Sequence, residues 1–292
     1  MVKKDLGHRI AINTLLIVLC VLCIAPFIML IAASFTGENT LVSEGYNFII
    51  KDFTLDAYQY LFRDNSIFRA YGITIFVTAV GVACSILVTT LLAYPLSMGN
   101  LPGKNVFMFL VFFTMLFSGG LVPSYMMWTQ IFHIKNTIWA LIVPNLITNG
   151  FTIMIMRTYF ATNIPKEILE SARIDGASEL KILFRIVVPM SLPIVATIGL
   201  MAGITYWNDW NNALYYITDN HLNSIQALLN KMLTNAQYLQ QTAQYGSVAM
   251  DAVPTTAVRM AVAVLGAVPL MCIYPFFQKY FAKGLTLGAV KG

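Results

Sequence analysis

Six apolar stretches alternate with polar connections along the chain, at about 10–33, 71–97, 106–127, 137–159, 187–207 and 257–277. Each reaches roughly the 20 residues that a helix needs to cross the hydrocarbon of a bilayer. The pattern therefore predicts an all-α, polytopic membrane protein with six transmembrane helices, a single domain over residues 1–292. In the third stretch Gly119-Gly120 and then Pro123 predict a broken helix, which transporters tolerate where the backbone lines a cavity or is buried in protein. Lys3, Lys4 and Arg9 ahead of the first stretch imitate a secretory leader, but the apolar run continues through Pro26. It thus exceeds the roughly 7 to 15 residues of a leader core, and a retained anchor is expected.

The connections differ in kind. Residues 34–70 are polar and mildly acidic, with Tyr46, Phe48, Phe53, Tyr58 and Tyr60 interspersed, and predict a compact segment outside the membrane. Residues 98–105, with Pro102 and Gly103, predict a tight turn. Residues 214–256 are mostly polar and rich in Gln and Asn.

The most charged connection is Asn163 to Val188, with Lys166, Glu167, Glu170, Arg173, Asp175, Glu179, Lys181 and Arg185. Each would cost roughly 2.5 to 3.5 kcal/mol at a bilayer centre, so this loop lies outside the hydrocarbon. It is nonetheless patterned. Pro165 suits a first helical turn, and Glu167 and Glu170 favour its positive end. Ile164, Ile168, Leu169 and Ala172 form one stripe; Leu180, Leu183, Phe184 and Val187 form a second at helical spacing. The prediction is helix, bend, helix. Asp175 is expected to cap the second helix, and Gly176 to supply either a bend or a close backbone approach.

Composition sharpens the class. The 292 residues are 58% hydrophobic and 11% charged, against about a quarter charged in soluble domains. The net charge of +5 then reflects membrane topology rather than nucleic acid, which is not an expected partner. With the amino terminus inside, twelve basic residues fall on the cytoplasmic side (Lys3, Lys4, Arg9, Lys104, Arg157, Lys166, Arg173, Lys181, Arg185, Lys279, Lys283, Lys291) and six outside (Lys51, Arg63, Arg69, Lys135, Lys231, Arg259). Both termini and the 163–188 loop are placed inside by this asymmetry.

Cys20, Cys23, Cys84 and Cys272 all fall within apolar stretches. Structural disulfides are therefore not expected, and the C-x-x-C pair Cys20 and Cys23 reads as small buried thiols rather than a redox or metal site. His8, His133 and His221 are scattered and lack carboxylates at ligand spacing, so no metal is expected. No phosphate-binding G-x-x-x-x-G-K-[ST] loop and no hydrolase motif is present. The chain is not expected to be an enzyme.

The loop resembles the signature of permease subunits of ATP-binding-cassette importers: Glu-Ala-Ala, three residues, Gly, nine residues, Ile, one residue, Leu-Pro. Here Glu170-Ser171-Ala172 is followed at the same spacing by Gly176, Ile186, Val188 and Pro189. Ser171 for Ala and Val188 for Leu keep the small and apolar characters. The resemblance implies the fold of a type I importer permease, with 163–188 as the coupling loop and Glu170, Ser171, Ala172, Asp175, Gly176, Ile186 and Pro189 as ATPase-coupling positions. It also implies the partners: a second homologous permease, two ATPase subunits that bind ATP and Mg, an extracytoplasmic solute-binding protein and a bacterial cytoplasmic membrane.

Trp207-Asn208-Asp209-Trp210, after the fifth stretch, combines aromatic faces with amide and carboxylate groups that suit a sugar. An interfacial aromatic belt is the competing account. Permeases of carbohydrate type are similar here and carry a Pro-x-Tyr element like Pro123-Ser124-Tyr125. The ending Tyr274–Gly292 resembles their oligosaccharide subgroup. Tyr125, Asn145, Asn149, Trp207, Asn208, Asp209 and Trp210 are accordingly the candidate substrate-path residues. Alginate or pectin fragments and neutral oligosaccharides fit this reading equally well. An ion-coupled secondary sugar carrier is the alternative, disfavoured because the apolar stretches hold few ionisable groups for an ion relay.

Overall fold

The computed structural model describes residues 6–63, 65–99, 101–144, 146–245 and 255–286. Among these, regular structure is helical apart from one antiparallel bridge between Thr36 and Phe53. Three helices are long and apolar enough to cross a membrane: Arg9–Ser34, Ser66–Ser97 and Thr256–Ile273. Two bent pairs qualify if each is taken as one span, Lys104–Leu116 with Leu121–Ile131, bent by 113°, and Glu179–Met190 with Leu192–Asn208, bent by 86°. The first bend lies where Gly119-Gly120 was expected to break the third span, and Gly120 adopts a φ of 84° that other residues resist.

The fourth stretch departs from the continuous helix expected over 137–159. It divides into Trp139–Ile142 and Gly150–Asn163. Pro144 has no N–H to continue a helical ladder, and Asn149 is extended, its side chain accepting from the N–H of Phe151 at 2.9 Å and of Thr152 at 3.4 Å. The carbonyls before the break find distant donors: Tyr206 Oη donates to the Ile142 oxygen at 2.9 Å, and Asn212 Nδ2 to that of Pro144 at 3.0 Å. The polar stretch after residue 214 also gains order, as helix Ile225–Tyr245.

The chain forms two compact units. One comprises Met1–Ile67 and Leu229–Pro269. Within it the expected extramembrane segment holds two short helices, Glu38–Glu44 and Asp56–Leu61. Phe35 stacks on Phe53 and Tyr58, with centroids 5.7 and 4.9 Å away. The Glu38 carboxylate accepts from the N–H groups of Thr256 and Ala257 at 2.8 to 3.0 Å, placing an anion on the otherwise unpaired donors that open the last long helix. The first helix buries only 6% of its most apolar window. Cys20 and Cys23 are consequently exposed on its surface, which corrects the expectation of buried thiols there.

The other unit comprises Phe68–Leu228 and Leu270–Gly292, and its described residues include two cores. One gathers Ala93, Tyr94, Met156, Phe160, Ile164, Ile182, Leu183, Val187, Ile194 and Ile198. The second is built on Val77, Leu141, Ile142, Tyr206, Tyr216 and Ile217. A close approach allows this second core to form, because a Cβ at Gly81 would sit 2.4 Å from the Tyr206 ring.

Candidate functional site

The 163–188 loop folds as its pattern predicts, in two helical pieces with a turn between them. Lys166–Ile174 begins after extended Pro165 and ends in a reverse turn. Gly176 takes φ +78°, its N–H donates to the Arg173 oxygen at 3.0 Å, and the Ala177 N–H donates to that of Ala172 at 3.0 Å. These bonds and the left-handed glycine make a Schellman motif. Beyond Gly176 itself and its two chain neighbours, no heavy atom of the described residues lies within 4 Å of a Cβ built there. Of the two roles open to this glycine, the bend is therefore the one the chain itself requires.

Asp175 does not cap the second helix. It is the C-cap of the first, and Ser178 stands at the N-cap of Glu179–Ile182. Three residues separate Asp175 from that helix because the glycine turn must be completed first. The second stripe is also rotated from its expected face. Ile182, Leu183 and Val187 are buried, whereas Leu180 is 61% and Phe184 46% exposed. A widened π-type turn over Leu183–Val187 shifts the angular position of each side chain.

On the first loop helix Leu169 and Ala172 pack against the core, while Glu170, Ser171, Asp175 and Gly176 are exposed and Ile174 is 85% exposed. Ile186 packs on the same core and Pro189 is exposed. The loop is thus rooted on one side and presents a partly apolar surface on the other.

Arg173 spans the turn, its Nε donating to Glu179 Oε1 at 2.7 Å and an Nη to Oε2 at 3.4 Å. Buried Tyr94, near the end of helix Ser66–Ser97, donates its hydroxyl to Glu179 Oε2 at 2.7 Å. Sequence patterning missed this contact. The only trace of it there is a hydroxyl-bearing ring beside Pro95 at the end of an apolar stretch.

The substrate-path candidates divide. Trp207 is buried at 5% exposure, with its ring 6.3 Å from that of Tyr71. It lines an apolar cavity of ≈ 470 Å³ with Val82, Ile86, Gly199, Gly203 and Ile204. Trp210 is 39% exposed, so the two indoles do not make one stacking face. Asn208 donates to the Ile204 oxygen of its own helix at 2.9 Å. Asp209, beyond the helix end, accepts from the Asn212 N–H at 3.4 Å; burial pushes its carboxyl up to about 6, against the opposing pull of the Asn212 and Asn211 N–H groups. Tyr125 stacks on Tyr216 at 5.8 Å, with Lys135 Nζ 3.3 Å from its hydroxyl. Asn149 is engaged as a helix cap, and Asn145 lies outside the described residues, as do residues 287–292 of the carboxyl-terminal resemblance.

Residues 85–287 match the family described as binding-protein-dependent transport system inner membrane component. The polygalacturonan/rhamnogalacturonan transport system permease YtcP of Bacillus subtilis is 41% identical, covering 95% of this chain and 96% of its own. The trehalose/maltose transport system permease MalG of Thermococcus litoralis is 28% identical over 99% of both chains. A chain in the crystal structure of a bacterial ABC transporter involved in import of the acidic polysaccharide alginate superposes with a TM-score of 0.80 at 27% identity, covering 96% of this chain and 99% of that one.

Proposed function

The chain belongs to the binding-protein-dependent transport system inner membrane components, and we propose that it forms half of the translocation pathway of an ATP-driven oligosaccharide importer, with loop 163–188 docked on a cytoplasmic ATPase. The observation that carries the coupling role is the loop itself. Its signature spacing coincides with a helix–turn–helix rooted in the core on one face and bare on the other. Covering Ile174, now 85% exposed, would contribute about 1.5 to 3 kcal/mol to docking. Glu170, Ser171 and Asp175 flank it with polar groups for a partner.

A second, homologous permease completes the pathway. Two ATPase subunits hold ATP and Mg, and an external binding protein delivers the sugar. Closure of the ATPases draws the two coupling loops together and turns the cavity outward; hydrolysis resets it. The basic-residue asymmetry supports placing both termini inside. Acidic-sugar transport in the names of YtcP and of the alginate importer supports uronate-containing oligosaccharides as the substrate class. Trp210, by its exposure, and Asp209, as an acceptor for sugar hydroxyls, are the pathway residues that suit a sugar.

The test is uptake into proteoliposomes holding the full complex. Galacturonate oligomers should enter only with ATP and loaded binding protein. Gradient-driven uptake by this chain alone would refute the importer reading, and uptake restricted to neutral oligosaccharides would refute the substrate class. In intact cells a cysteine at Asn235 should react with an impermeant thiol reagent and one at Lys181 should not; the reverse pattern would invert the orientation.

A further inference from the structure

The loop turn is joined to the second span by a chain of directional bonds. Arg173 precedes Gly176, Glu179 follows it, and one carboxylate accepts from both Arg173 and Tyr94. Tyr94 is 5% exposed and embedded in the core with Ala93 and Met156, so its ring moves with Ser66–Ser97. Glu179 opens the second loop helix. Beside this contact the loop and Pro95, Met98, Gly99 and Pro102 border a cleft of ≈ 570 Å³ rather than packing continuously. Apolar contacts such as those of Leu169 and Ala172 resist separation but have no preferred direction. A hydrogen bond between a hydroxyl and a carboxylate fixes both distance and angle.

We infer that Tyr94 is a positioning residue for coupling: its bond to Glu179, with Arg173 holding that carboxylate across the glycine turn, passes displacement of the loop to the second span. The inference rests on the coupling role proposed for the loop. If the loop shifts and this bond is absent, the apolar contacts let it slide, and ATP is hydrolysed without a matching movement of the span.

Tyr94→Phe keeps the buried ring and removes only the donor. The experiment measures binding-protein-stimulated ATP hydrolysis and uptake of galacturonate oligomers in the same proteoliposomes of the full complex, and takes sugar imported per ATP hydrolysed as the readout. Tyr94→Phe should lower that ratio about tenfold, the change that about 1.4 kcal/mol produces and the scale of one hydrogen bond to a charged group. Stimulated hydrolysis should persist. Glu179→Ala, at a half-exposed position, removes the acceptor without touching the core and should lower the ratio equally. An unchanged ratio in Tyr94→Phe overturns the inference, as does a fall confined to one of the two variants, or reduced complex yield with the ratio intact. Absence of ATP-dependent uptake of galacturonate and of neutral oligosaccharides alike by the wild-type complex would instead overturn the importer reading beneath it.

Discussion

Substitutions at Gly176 distinguish two physical roles that any one variant would confound. Its φ of +78° lies in the left-handed region, and the space around its Cβ position is empty to 4 Å. Within this chain the penalty for a side chain is therefore one of backbone conformation, roughly 1 to 2 kcal/mol for an ordinary L-residue. Asn visits this region more readily than Ala, while a β-branched residue is an outlier there. The expected order of function is Gly, then Asn, then Ala, then Val. A loss of one to two kcal/mol shifts the ratio of correctly turned to misturned loop by a factor of about 5 to 30. Gly176→Val should show a fall of up to that size in binding-protein-stimulated ATPase activity and uptake, at normal levels of the assembled complex. Asn is larger than Ala, so ranking by volume would give the opposite order for these two. If Gly176→Asn proved as damaging as Gly176→Val while Gly176→Ala was tolerated, close contact with the ATPase would govern this position and the conformational argument would fail.

Tyr206→Phe should destabilise the purified chain by about 1 to 3 kcal/mol by orphaning the Ile142 carbonyl, read as a lower Tm; Gly81→Ala should do worse, since its methyl would meet the Tyr206 ring. Glu38→Ala should cost about 0.5 to 2 kcal/mol by uncapping the last helix, and faster amide exchange confined to residues 256–259 would report it. Trp210→Phe should reduce uptake with little change in Tm, whereas Trp207→Phe should lower Tm because its indole fills a buried site. Reversal of that pairing would return Trp210 to an anchoring role.

Much of this architecture could be read from local pattern. The Gly119-Gly120 break, the turn before Lys104 and the bend at Gly176 each depend on residues whose own backbone preferences set the geometry. The signature spacing likewise marked the loop, although it did not reveal which faces were buried. The exposure of Phe184 accompanies a widened turn over Leu183–Val187 that regular 3.6-residue counting does not anticipate. The division of the fourth span was legible only in part: Pro144, Asn145, Asn149 and Gly150 interrupt residues 137–159, but the donors that complete the break come from elsewhere in the chain. Glu38 and Tyr94 were missed for the same reason. Glu38 meets its partners 218 and 219 positions later, and Tyr94 meets Glu179 85 positions later, with no sequence period to connect them.

The stitched break in the fourth span also has a consequence for how the protein is made. Tyr206 follows Ile142 by 64 positions, and Asn212 follows Pro144 by 68. When the fourth segment leaves the ribosome, the donors for those two carbonyls have not been synthesised. Hydrocarbon offers no substitute, and an unpaired backbone group there costs several kcal/mol. The segment must therefore enter the bilayer in a provisional form, with those oxygens bonded internally or kept near water, and adopt its divided form only after the fifth segment has arrived. Its final shape is a product of assembly order, set in place by a residue that the membrane meets later.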